Sequence, residues 1–140
     1  MILNRQSRVR VALPPLEKFT RRLRRELRLN GREVAVCLVS NSEMARLNKT
    51  YRGKPGPTDV LSFPATRELD AKGASASLGD IAIAPMVARR NAKRFGRTLP
   101  GELRILILHG VLHLMGYDHE NDGGQMERRE QRLWKRLGLE

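Results

Sequence analysis

The stretch GELRILILHGVLHLMGYDH, residues 101–119, decides the architecture. From Leu103 to Met115 it is apolar almost all round, which predicts a central helix covered on most sides rather than one lying on the surface. Pro100 suits the first turn of such a helix, where a missing N–H costs nothing, and Gly116 suits its end, because glycine accepts a left-handed backbone. All 3 histidines of the 140-residue chain, His109, His113 and His119, fall within this stretch.

On a helix His113 is rotated only about 40° from His109 and raised by about 6 Å, so both imidazoles can address one ion. After Gly116 the chain turns, and His119 can return over the same point. Three neutral nitrogens with an open fourth position match a catalytic zinc site, whereas structural zinc sites close with four protein ligands, mostly cysteine. One zinc ion is therefore expected, able to lower the pKa of bound water and to polarise a phosphoryl or carbonyl oxygen. Asp118 and Glu120 are candidates for accepting an imidazole N–H.

The spacing H-x-x-x-H-x-x-G-x-x-H is also that of zinc proteases, which carry a glutamate directly after the first histidine as general base. Here that position is Gly110, with no side chain to take a proton. Peptide hydrolysis by a zincin-type metallopeptidase thus lacks its base. The charge balance points elsewhere: 27 Lys and Arg against 15 Asp and Glu leave a formal net charge of +12, mostly from arginine. Arginine pairs bidentately with phosphate, so a nucleic acid is the expected partner, and RNA is preferred because its 2′-hydroxyl offers an internal nucleophile.

Outward from this helix, the pattern alternates between strands and helices. The opening MILN and VRVAL suggest one or two short strands stopped by Pro14-Pro15. Leu16, Phe19, Leu23 and Leu27 recur at helical spacing over 16–29, with Asn30-Gly31 as the stop and the arginines of TRRLRRELR facing water. EVAVCLVS reads as a buried strand, and Asn41 or Ser42 caps a short helix through Met44 and Leu47. NKTYRGKPGPT is turn-rich and reads as a loop; DVLSFP and LGDIAIA read as strands, with 65–77 the most mobile connection between them. Helices are expected from Pro85 to about Phe95, closed by Gly96, and from Gln125 to Leu137, with Met126, Leu133, Trp134 and Leu137 inward.

The expected fold class is thus α+β: one domain over 1–140, with a small mixed β-sheet of about four strands packed with about five helices, zincin-like in its metal helix. Folding a chain of this size buries roughly two-thirds of the unfolded surface, enough for a true core. No apolar run reaches the roughly 18 residues of a membrane span, and the N-terminus lacks the apolar region of a signal peptide, so a cytoplasmic protein without membrane contact is expected. Cys37, the single cysteine, sits in an apolar run and reads as core.

The chain also resembles a known family. LNKTYRGKPGPTDVLSFP at 47–64, LGDIAIA at 78–84 and HGVLHLMGYDH at 109–119, in this order, are similar to the bacterial YbeY metal-dependent endoribonucleases, and Met126 and Glu130 fall where that family's last helix has its Met and Glu. The middle of the loop departs: GKPGPT replaces a Lys-Asp-Lys-Pro-Thr type segment. The resemblance implies a single-strand-specific endoribonuclease acting in small-subunit rRNA 3′-end maturation and ribosome quality control. It further implies zinc on His109, His113 and His119, and a functional Arg52 near the metal. The implied partners are ribosomal RNA and the small ribosomal subunit or its assembly factors. Arg52 is chemically suited to clamp a phosphate. A non-catalytic ribosome-assembly factor with a structural metal is the other alternative to nuclease and peptidase.

Overall fold

The computed structural model describes residues 1–29, 31–65, 77–117 and 123–139. The elements run β1 (Ile2–Asn4), α1 (Leu13–Glu26), β2 (Glu33–Leu38), α2 (Asn41–Arg52), β3 (Val60–Pro64), β4 (Ser77–Ile83), α3 (Pro85–Phe95), α4 (Leu99–Leu114) and α5 (Gln125–Leu137). The strands form one sheet in the order β1-β2-β4-β3, with β1, β2 and β4 parallel and β3 antiparallel at the edge. Among the described residues the mixed four-stranded sheet and five helices match the expected α+β class.

Strand alternation sorts the core into two clusters. Val34, Val36 and Leu38 of β2 and Ile81 and Ile83 of β4 pack with Leu16 and Leu23 of α1, Leu103, Ile107 and Val111 of α4, and Met126 and Leu133 of α5. The intervening residues Leu61 and Ala82 join Met44 and Val87 in a second cluster, with Cys37, Leu47 and Phe63 packed against it. Cys37 is thus half-buried at the margin of the smaller cluster rather than in the main core. Burial and the carboxylate of Asp80 push its thiol pKa up.

Three sequence expectations change. The VRVAL segment is not a strand, and Pro14-Pro15 lie inside the first turn of α1 instead of stopping a strand. The first helical turn leaves its N–H groups without intrahelical partners, so prolines fit there as well as they fit a strand end. Ser40, not Asn41 or Ser42, caps α2: its side chain accepts from Glu43 N at 3.2 Å. And α2 does not stop near Leu47 but runs to Arg52, so Asn48–Arg52 is helix rather than loop. Asn48, buried within it, donates from Nδ2 to Gly56 O at 2.9 Å and ties the following turn to the helix.

The helix α4 starts as expected in kind. Thr98 accepts from Gly101 N at 3.1 Å, and Pro100 lies in the first turn. Its end is closed by Gly116 N to His113 O at 3.0 Å and Tyr117 N to Leu112 O at 3.1 Å, with Gly116 at φ 99°. No helix among the described residues is long and apolar enough to cross a membrane.

Candidate metal centre

His109 and His113 stand on the last turns of α4, each half-exposed on a helix whose other faces are buried. Their rings meet edge to face with centroids 4.5 Å apart, and the two Nε2 atoms are 3.0 Å apart. Two nitrogens bound to one tetrahedral zinc lie about 3.3 Å apart, so the pair converges on a point where a small rotation of either ring admits an ion.

The other nitrogen of His109 is also assigned. Its Nδ1 lies 2.7 Å from Oε1 of Glu130, a side chain 14% exposed on α5. A carboxylate accepts the Nδ1–H, which leaves the Nε2 lone pair aimed at the His113 ring; this carboxylate-histidine pairing is the arrangement that orients imidazole ligands for a metal. Sequence reasoning assigned that accepting role to Asp118 or Glu120 and met Glu130 only as a family match. A signal was present: Met126, Glu130, Leu133 and Leu137 recur at spacings of four, three and four, so a carboxylate sits on the inward stripe of an amphipathic helix. His119, Asp118 and Glu120 lie outside the described residues. Among the described residues no group of three His, Cys, Asp or Glu side chains gathers at one point.

Gly110 has a different meaning in three dimensions. A Cβ there would stand 2.8 Å from Cδ1 and 3.0 Å from Cγ2 of Ile81 on β4. Beside it, Ser62 Oγ of the edge strand donates to Gly110 O at 3.2 Å. Position 110 therefore faces the sheet, and the glycine lets α4 approach β4 closely. The missing glutamate is a packing requirement, and a side chain at 110 would point at Ile81 rather than at the histidines.

Arg52 is the exposed last residue of α2, and its side chain has no hydrogen bond or ion pair with another described residue. The structure does not bring it into contact with the histidines. Its neighbour Tyr51 packs edge-on against Phe63 of β3 at 5.0 Å between centroids, one residue from the Ser62 that bonds Gly110. Successive residues of β3 thus touch the arginine-bearing helix and the histidine-bearing helix. Thr58 and Asp59 act structurally: Thr58 Oγ1 donates to Asp59 Oδ1 at 3.4 Å and Asn91 Nδ2 to Asp59 Oδ2 at 3.3 Å, which anchors the loop to α3.

The fold is that of a small α+β domain whose central helix carries an imidazole pair with a carboxylate behind one ring. The family model for Endoribonuclease YbeY matches residues 1–138. A Solibacter usitatus protein named Endoribonuclease YbeY is 43% identical over 126 residues, covering 90% of this chain and 80% of that protein. Its namesake from Koribacter versatilis is 42% identical over 139 residues, with coverage of 99% and 86%. The solution structure of a Thermotoga maritima protein superposes with a TM-score of 0.64 at 30% identity, over 98% of this chain and 89% of that one. The chain belongs to the Endoribonuclease YbeY family.

Proposed function

We propose that this chain is a zinc-dependent endoribonuclease that cuts single-stranded RNA, working in the cytoplasm on the 3′ end of small-subunit rRNA and in ribosome quality control. The observation that carries the reading is the convergence of His109 and His113 with Glu130 behind His109, in a family whose members are named for endoribonuclease activity. Family membership supports a nuclease.

In this reading His109 and His113 supply two ligands and His119 the third, and Glu130 keeps His109 in the tautomer that presents Nε2. When bound, the ion supplies a Lewis acid for the phosphodiester and lowers the pKa of water at the site. Arg52 contributes a fixed positive charge with a planar fork that fits two phosphate oxygens, steadying the scissile group as negative charge grows on it. The protease alternative lacks a base at position 110, where the backbone abuts Ile81.

The test is cleavage of a single-stranded RNA and of the same sequence in a duplex, with and without chelator. Chelator-sensitive cleavage of the single strand alone is expected. Cleavage that survives both chelation and His113→Ala would overturn the metal mechanism.

A further inference from the structure

The arginine run TRRLRRELR, residues 20–28, plays no part in the metal site. On α1 it forms a surface of its own. Thr20, Leu23 and Leu27 are buried; Arg21, Arg24 and Arg25 share one strip of the helix at i, i+3 and i+4, and with Arg28 of the closing turn, Leu29 and Gly31 they line an open groove of about 540 Å³. Arg21, Arg25 and Arg28 are exposed and have no carboxylate partner among the described residues. The acidic member of the run, Glu26, is taken by Arg136 of α5 at 3.0 Å. Arg24 is held by its Nε–H on Arg32 O at 3.2 Å. Like charges one turn apart repel, so folding by itself does not favour this gathering.

A second observation concerns Arg28. The closing turns of α2, α3, α4 and α5 place glycine in the left-handed region: Gly53 at φ 66°, Gly96 at φ 67°, Gly116 at φ 99° and Gly138 at φ 68°. α1 closes with the hydrogen-bond pattern of α3, α4 and α5, Arg28 N to Arg25 O at 3.1 Å and Leu29 N to Arg24 O at 3.2 Å, but the left-handed residue is Arg28 at φ 52°. Among the described residues it is the single non-glycine with positive φ. An L side chain is disfavoured there and glycine would relieve it, yet the residue present is an arginine that lines the groove.

The groove is joined to the metal centre by α5. The Glu130 end of that helix touches His109, and the other end meets α1, where Arg22 Nη2 donates to Arg136 O at 3.0 Å. Glu130 and Arg136 are about 9 Å apart along the helix axis, and Arg132, one turn before Arg136, is exposed. We infer that the α1 groove lined by Arg21, Arg24, Arg25 and Arg28 binds the phosphate backbone of the same RNA strand whose scissile phosphate lies at the histidine centre. This rests on the endoribonuclease reading. Guanidinium groups hold phosphates without reading bases, so the groove supplies length dependence and register, not sequence preference. A strand long enough to reach both places gains affinity over one that fills the histidine centre alone.

The experiment measures binding and cleavage of polyuridine of two lengths, one only a few nucleotides long and one several times longer, across a range of salt. The variant Arg21→Ala, Arg25→Ala, Arg28→Gly is expected to bind the longer RNA more weakly. Its slope of log affinity against log salt should fall by about 2, at about 0.7 for each lost phosphate contact. Cleavage of the short RNA should match the parent. Arg28→Gly alone should melt at a higher temperature while losing about 0.7 of the slope. Unchanged affinity and slope in the triple variant, with the parent cleaving RNA normally, overturn the groove. A parent that cleaves neither RNA yet shows the arginine-dependent slope sinks the nuclease reading and overturns the shared strand, leaving the groove as an RNA-binding surface alone.

Discussion

The helices α4 and α2 lie on either side of the edge strand β3 and carry the two halves of the proposed chemistry in opposite ways. α4 is buried on nearly every face, runs against β4 with no room for a side chain at Gly110, and presents His109 and His113 from a backbone that cannot shift without disturbing the core. α2 buries only Met44 and Asn48 and ends in the open at Arg52. The contrast teaches that the placement of the two imidazoles is coupled to folding, whereas Arg52 can be altered without touching stability. Pre-arranging ligands in a rigid frame suits an ion that tolerates little error in position; a long arginine on an exposed helix end suits a polymer that must enter and leave.

The strongest way to break this comparison is at position 110. Gly110→Glu forces a carboxylate against Ile81 and is expected to abolish folding, read by loss of the cooperative thermal transition. Gly110→Ala should destabilise by about 1–3 kcal/mol through overpacking, and the same change should cost less in an Ile81→Ala background. If Gly110→Ala is as stable as the parent, the close approach of α4 to the sheet is not what the glycine serves.

Arg52→Ala comes next. By comparison with other groups that stabilise charge growing in a transition state, kcat/KM for RNA should fall by about 10²–10³ while the melting temperature stays put, and Arg52→Lys should restore only part. A variant that loses stability together with activity would show α2 to be as coupled to folding as α4. A smaller effect is expected at Glu130→Gln, which keeps the shape but loses the charge behind His109: zinc affinity should drop about 10–100-fold with the fold intact. An unchanged zinc dissociation constant would mean that the 2.7 Å contact does not tune the ligand. Smaller again, Ser40→Ala removes the cap of α2 and should cost about 1 kcal/mol in denaturant unfolding without changing RNA cleavage.

Much of this contrast was legible in the sequence, and what was not has physical reasons. The apolar character on almost every side of Leu103–Leu114 identifies a buried helix, and a one-turn histidine spacing fixes which rings can meet. Pro14-Pro15 misled because proline is tolerated both at strand ends and in a first helical turn, and only the packing of Leu16 and Phe19 decides between them. The run Asn48–Arg52 read as loop because the glycines and prolines after it dominate local propensity. The helix is extended to Arg52 by burial of Asn48 and its bond to Gly56, tertiary effects that propensity does not contain. Gly110 was legible as the loss of a base, but its contact with Ile81 joins residues far apart in the chain. The same holds for Glu130 and His109, whose pairing depends on how α5 docks on α4.

The measurement that tests the central claim most directly is a zinc titration of the metal-free chain beside His109→Ala and His113→Ala, with circular dichroism on each. One ion per parent chain is expected, with binding lost or greatly weakened in both variants while their helical spectra and cooperative melting persist. Tight stoichiometric zinc binding by either folded variant would contradict the claim that the facing imidazoles of α4 hold the ion.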